Sequence, residues 1–112
     1  MLSVPPQIEL QDQLFRALAD PTRRAVLGRL AEHEMSVGAI TAAFEVSQPT
    51  ISQHLGVLRS AGLVTERREG RFAYYRADPD GLQPLFGWLA HYQHFWRDAV
   101  VRLDALLKEI DR

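Results

Sequence analysis

Residues 36–62 read SVGAITAAFEVSQPTISQHLGVLRSAG, a pattern that divides into two short helices joined by a tight turn. Ser36 is placed to cap the first, with Met35 and Ile40 at the flanking positions of a hydrophobic staple, and Val37, Ile40 and Phe44 then recur at helical spacing. Glu45 and Val46 form the turn. Ser47 can cap the second helix, over residues 48–61, whose Pro49 falls in the first turn, where a missing N–H costs no intrahelical bond. Gly62 supplies the left-handed residue that ends it.

At about 100° per residue the second helix puts Ile51, Leu55 and Leu58 on a core-facing side. The opposite face carries Pro49, Ser52, Gln53, Gly56 and Ser60, with Gln48 and Arg59 on one flank and Thr50 and His54 on the other. An ordinary surface helix carries Glu and Lys there. This face is small, uncharged and rich in hydrogen-bonding groups, which suits close approach to base edges. Gly56 costs about 1 kcal/mol relative to Ala in mid-helix, and close backbone approach is one reason to tolerate it.

Beyond Gly62, residues 63–76 form two strands around Glu69-Gly70, β-branched and aromatic residues flanking a glycine turn. Arg67, Arg68 and Arg71 gather at the tip, either as solvated charge or to reach phosphates and a minor groove. Tyr74 and Tyr75 point to opposite sides of their strand, and at least one is expected in the core.

Upstream, residues 1–6 are expected to be disordered or extended, because Pro5 and Pro6 disfavour helix. A helix over 8–19 follows, with Leu14, Phe15 and Leu18 on one face. Asp20-Pro21 then caps and opens a helix to Glu32 that turns Val26, Leu27 and Leu30 inward. Arg23 and Arg24 lie in its first turn, where they oppose the helix dipole. That placement asks for another role, a phosphate contact or a structural ion pair.

Downstream, Asp78-Pro79 opens a helix over 79–111, with Gly81, Pro84 and Gly87 placed to bend or divide its first turns. Leu82, Leu89, Trp96, Leu103 and Ile110 share one heptad position, and Leu85, Tyr92, Ala99 and Leu106 another, so the seam runs without a charge. A helix of about thirty residues spans about 45 Å, more than a domain of this size can cover. A second subunit is its natural cover, with the 8–19 helix contributing.

One domain accounts for all 112 residues, and a chain that is 46% hydrophobic can build one core of that size. The net charge of -1 conceals an uneven distribution: residues 1–46 carry -2, residues 47–76 carry +3 and residues 77–112 carry -2. Positive charge falls on the second helix and the hairpin. With no Cys there is no disulfide, thiolate metal site or thiol switch. The opening MLSVPPQIEL lacks the plan of a secretory leader and no apolar run reaches membrane-spanning length, so a cytoplasmic protein with no membrane partner is expected.

Three blocks, ALADPTRRAVLGRL, SQPTISQHLGVLRSAGLV and REGRFAYYR, taken in order, resemble the ArsR/SmtB family of winged helix-turn-helix repressors over nearly the whole chain. The resemblance implies a mainly α fold with a small β-hairpin. It also implies a homodimeric repressor on a palindromic operator, often released by a ligand, whose identity the sequence does not give. Residues implied at the DNA are Ser47, Gln48, Pro49, Thr50, Ser52, Gln53, His54, Arg59, Arg67, Arg68 and Arg71. Residues implied between subunits are Leu14, Leu18, Leu89, Trp96, Leu103, Leu106 and Ile110.

Many members of the family sense metals, but Ser36 and Gly38 stand here at the family's thiolate positions and cannot bind a soft ion. A second family site, bridging subunits, matches Asp78, Asp80, His91 and His94 in spacing. About 16 Å of helix separates Asp80 from His91, so only an antiparallel partner could complete it, around Zn²⁺, Co²⁺ or Ni²⁺. The family's His is Asp80 here, and both histidines turn away from the seam, so no metal cofactor is expected and a metal-responsive repressor is the alternative. A winged-helix module that binds protein is a second alternative. Catalysis is not expected, since Ser52 and His54 do not face each other and there is no phosphate loop or paired-acid site.

Overall fold

The computed structural model describes residues 6–110, and the expectation for the segment before Pro6 lies outside them. In chain order the elements are α1 (Pro6–Leu18), α2 (Pro21–Glu32), β1 (Met35–Ser36), α3 (Val37–Phe44), α4 (Gln48–Ser60), β2 (Val64–Glu69) and β3 (Phe72–Ala77). A 3₁₀ turn (Pro79–Leu82), α5 (Gln83–Ala90) and α6 (Gln93–Ile110) complete the chain. Pro6 is the first residue of α1 and not the last of an extended segment, a position its fixed φ suits.

The caps form as the sequence sets them out. Asp20 accepts from the Arg23 N–H, Ser36 from Ala39 and Ser47 from Thr50. Glu45 takes the left-handed conformation between α3 and α4 at φ 53°. Gly62 follows α4 at φ 77°, and a Cβ on Gly81 would collide with the Gly62 carbonyl, so both glycines are needed where the end of α4 meets the 3₁₀ turn. The Asp78 N–H, donating to the Leu63 carbonyl at 2.9 Å, closes the same junction.

The core is one cluster built from several elements. Leu14 and Ala17 of α1, Val26 and Leu30 of α2, Ile40 of α3, Ile51, Leu55 and Leu58 of α4, and Leu63 with Val64 leading into β2 are all buried. Leu14 is only 1% exposed, which corrects its assignment to a subunit interface: its side chain is spent on the chain's own core.

The hairpin pairs Val64 with Ala77 through Glu69 with Phe72, which leaves Gly70 and Arg71 as a two-residue loop with positive φ at Gly70 alone, the pattern of a type II′ turn. Met35 and Ser36 add a third, antiparallel strand against Tyr75 and Tyr74, giving the order β1-β3-β2. Two residues are too few for alternation to reveal a strand.

The 79–111 helix is divided at its start, where Gly81, Pro84 and Gly87 were expected to bend or divide it, and is corrected further along. The 3₁₀ turn divides its start, with Asp78 accepting from the Asp80 N–H, and a second break falls at His91 and Tyr92, whose N–H groups reach back three residues to Trp88 and Leu89. α5 lies on α1, where Trp88 meets Phe15 edge-on at 5.2 Å and Tyr92 at 5.1 Å, and the Gln11 amide donates to the Pro84 carbonyl. α6 leaves that contact and finds no cover among the described residues: its large apolar side chains are 46% to 76% exposed. Trp96, Val100, Leu103, Leu107 and Ile110 form its apolar stripe, with Ala99 and Leu106 at the border. No helix among the described residues is long and apolar enough to cross a membrane.

Candidate nucleic-acid interface

α4 is held by its buried Ile51, Leu55 and Leu58, which leaves the opposite side outward. Gln48, Pro49, Ser52, Gln53, Gly56 and Ser60 are all exposed. A Cβ built on Gly56 meets nothing within 4 Å, so no contact inside the chain requires this glycine. Ser47 and Thr50 are partly committed to the cap: their hydroxyls lie 2.8 Å apart while the Thr50 N–H donates to Ser47 Oγ. Beside this face opens a cleft of about 580 Å³, floored by Ala17, Val57 and Ala61 and edged by Gln13 and Arg16 of α1 with Gln53 and Ser60 of α4. Gln13 and Arg16 escaped the sequence reading because only packing brings α1 to the edge of α4.

His54 turns away from the outer face. It is half-buried and accepts at Nδ1 from Arg23 Nη1 at 3.4 Å; a guanidinium only donates, so Nδ1 is the accepting nitrogen. The same Arg23 donates through Nε to the Ala17 carbonyl at 2.7 Å and through Nη2 to the Arg16 carbonyl at 3.0 Å. Arg24 Nη1 reaches the Leu18 and Ala19 carbonyls. The two arginines that oppose the dipole of α2 therefore answer carbonyls at the C-terminal end of α1 and just beyond it, and among the described residues neither forms an ion pair. The backbone N–H of Arg23 also holds the Asp20 carboxyl below the ordinary aspartate range.

The arginines of the wing have distinct surroundings. Arg67 bridges Glu34 (2.8 Å) and Glu69 (2.7 Å) and lies 4.7 Å over the Tyr74 ring, on the face of the hairpin away from Glu66. These bonds draw the Glu34 carboxyl below the usual glutamate range and raise the Arg67 guanidinium further. Arg67 is thus a tie between the α2–β1 connection and the wing. On the other face Glu66 accepts from Arg59 Nη1 at 2.9 Å, Arg68 Nε at 2.7 Å and the Tyr75 hydroxyl at 2.6 Å. Those bonds hold the Glu66 carboxyl low, while burial first and the carboxylate second push the Tyr75 phenol up. Among the described residues Arg71, exposed at the turn, makes no ion pair or side-chain hydrogen bond. No group of three or more metal-ligating side chains occurs among the described residues, and His91 and His94 are exposed.

A helix-turn-helix domain model matches residues 18–67. The chain is 36% identical over 81 residues to the transcriptional repressor SdpR of Bacillus subtilis strain 168, covering 72% of this chain and 90% of the relative. It is 34% identical over 102 residues to the arsenical resistance operon repressor of Escherichia coli strain K12, covering 89% and 84%. Among solved structures, an ArsR family transcriptional regulator, RHA00566, superposes with a TM-score of 0.71 at 32% identity over 87% of this chain and 97% of that one.

Proposed function

Since the chain belongs to the ArsR/SmtB family of winged helix-turn-helix transcriptional repressors, we propose that it acts in the cytoplasm as a homodimer on a palindromic operator, one α4 in each major groove. The observation that carries this is the outer face of α4, exposed, uncharged and built around a glycine that the fold itself does not require. Arg71, exposed and without an internal partner among the described residues, is the wing's contact with phosphates or the adjoining minor groove. The uncovered stripe of α6, continued by Leu89 and assisted by Leu18, is the surface for the second subunit.

The repressor is not metal-responsive on this reading. The thiolate positions hold Ser36 and Gly38, and the bridging set has Asp80 where the family carries a His, with His91 and His94 both exposed. The signal that lifts repression is then some other ligand, or expression level alone.

Gln53 carries the base-edge contact, because its amide can pair bidentately with adenine, a discrimination of about 1–3 kcal/mol. Gln53→Ala should relax sequence preference at one position in each half-site, and Arg71→Ala should weaken all sequences and reduce the salt dependence. Gln53→Ala weakening every sequence alike would remove Gln53 from base reading.

A further inference from the structure

Glu66 joins two arginines from different elements. Arg59 comes from the last turn of α4 and Arg68 from the turn end of β2, and they meet on opposite oxygens of one carboxylate whose side chain is 9% exposed. The Tyr75 hydroxyl, on the strand opposite, fixes that carboxylate from inside. Each guanidinium gives Glu66 one of its five N–H groups, and the side chains of Arg59 and Arg68 remain 60% and 73% exposed. The unused donors lie on the solvent side, in the strip between the end of α4 and the wing.

We propose that Glu66 is a positioning residue for DNA binding: an internal carboxylate that holds Arg59 and Arg68 as a preformed pair whose free N–H edges receive the phosphodiester oxygens between the major groove and the wing. The inference rests on the proposed DNA-binding role and assigns it a part that charge alone would deny, since a carboxylate beside a phosphate is repulsive. What it supplies is order. A free arginine must be immobilised on binding, whereas a guanidinium already bonded along one edge presents the other without that loss. Tyr75 keeps the carboxylate from turning out to compete for solvent or for the phosphate.

The sign of one substitution separates this from simple electrostatics. Glu66→Gln removes a negative charge, so if Glu66 merely competes with phosphate, affinity rises and the salt dependence steepens. If Glu66 positions the arginines, operator affinity falls by at least about tenfold, because ordering each released arginine costs a few-fold and each half-site has two. The magnitude of the salt slope falls with it.

The test is operator binding by fluorescence anisotropy across a salt series for the full chain, Glu66→Gln, Tyr75→Phe, and Glu66→Gln in an Arg59→Ala/Arg68→Ala background. Tyr75→Phe leaves the charge unchanged and carries the test if Glu66→Gln does not fold; it should lose several-fold in affinity. In the double-alanine background Glu66→Gln should change nothing further, the coupling expected of a residue that acts through those two. Affinity unchanged or raised in Glu66→Gln or in Tyr75→Phe, or an undiminished loss in the double-alanine background, overturns the proposal. Equal binding of the unsubstituted protein to operator and scrambled duplex removes the DNA-binding reading itself, and this inference with it.

Discussion

Replacing Arg23 by Ala should cost the chain about 2 kcal/mol, although its side chain forms no ion pair among the described residues. The guanidinium closes the end of α1: its bonds to the Ala17 and Arg16 carbonyls are 2.7 Å and 3.0 Å, and that to His54 is a weaker 3.4 Å. Hydrogen bonds from a charged donor contribute about 1.5–3 kcal/mol each, and partial exposure brings both strong ones toward or below the lower end. Removing a cation from the first turn of α2 returns roughly 0.3–1 kcal/mol through its dipole. For a chain of this size the balance corresponds to a fall in Tm of about 6–12 °C. Arg24→Ala is the internal control: its two acceptors share one exposed nitrogen, and the loss should stay within about 0.5 kcal/mol. Arg23→Lys should recover only part of the loss, because an ammonium does not match the planar fork. Urea unfolding followed by circular dichroism, at one protein concentration so that association is held constant, measures all three. Equal costs for Arg23→Ala and Arg24→Ala would refute the reasoning, leaving the carbonyls of α1 satisfied by water.

Three other outcomes follow from the same geometry. Leu103→Glu, at the middle of the exposed stripe of α6, should dissociate the proposed dimer at a cost of several kcal/mol; sedimentation showing an intact dimer would place the subunit contact elsewhere. Glu34 and Glu66 both titrate below the ordinary glutamate value of 4.5, so the stability they lend the wing is fully present above about pH 4.5 and is lost as pH falls through their lower folded-state values. Urea midpoints across pH 3–6 should show that loss diminished in Glu34→Gln, and an unchanged pH profile would count against the Arg67 tie. Titration of the chelated dimer with Zn²⁺, Ni²⁺ and Co²⁺ should leave operator affinity unaltered. A five- to 150-fold weakening that vanishes in His91→Ala and in His94→Ala would make it a metal sensor.

Local signals made much of this fold legible. Asp20, Ser36 and Ser47 announce helix starts, Gly62 a helix end, and the spacing of Ile51, Leu55 and Leu58 sets which side of α4 is hidden, because each depends on residues within a turn or two. Features that depend on packing were not legible. The break at His91 and Tyr92 has no proline or glycine to mark it and coincides with the aromatic contact of Trp88 with Phe15 and Tyr92. Leu14 belongs to an apolar face on either reading, and only the position of α2 and α4 decides that it is internal. In the site, the outward face of α4 follows from periodicity alone. The sorting of the arginines into a cap at Arg23, a tie at Arg67, a pair at Arg59 and Arg68 and an exposed tip at Arg71 needs acceptors up to 33 residues away.

Selection of bound sequences from random duplex DNA, followed by competition at physiological salt, tests the central claim most directly. The account predicts enrichment of a two-fold palindrome with half-site centres about 34 Å apart, bound by a dimer and far tighter than scrambled duplex. No enrichment, with equal affinity for unrelated duplexes at that salt, would contradict it.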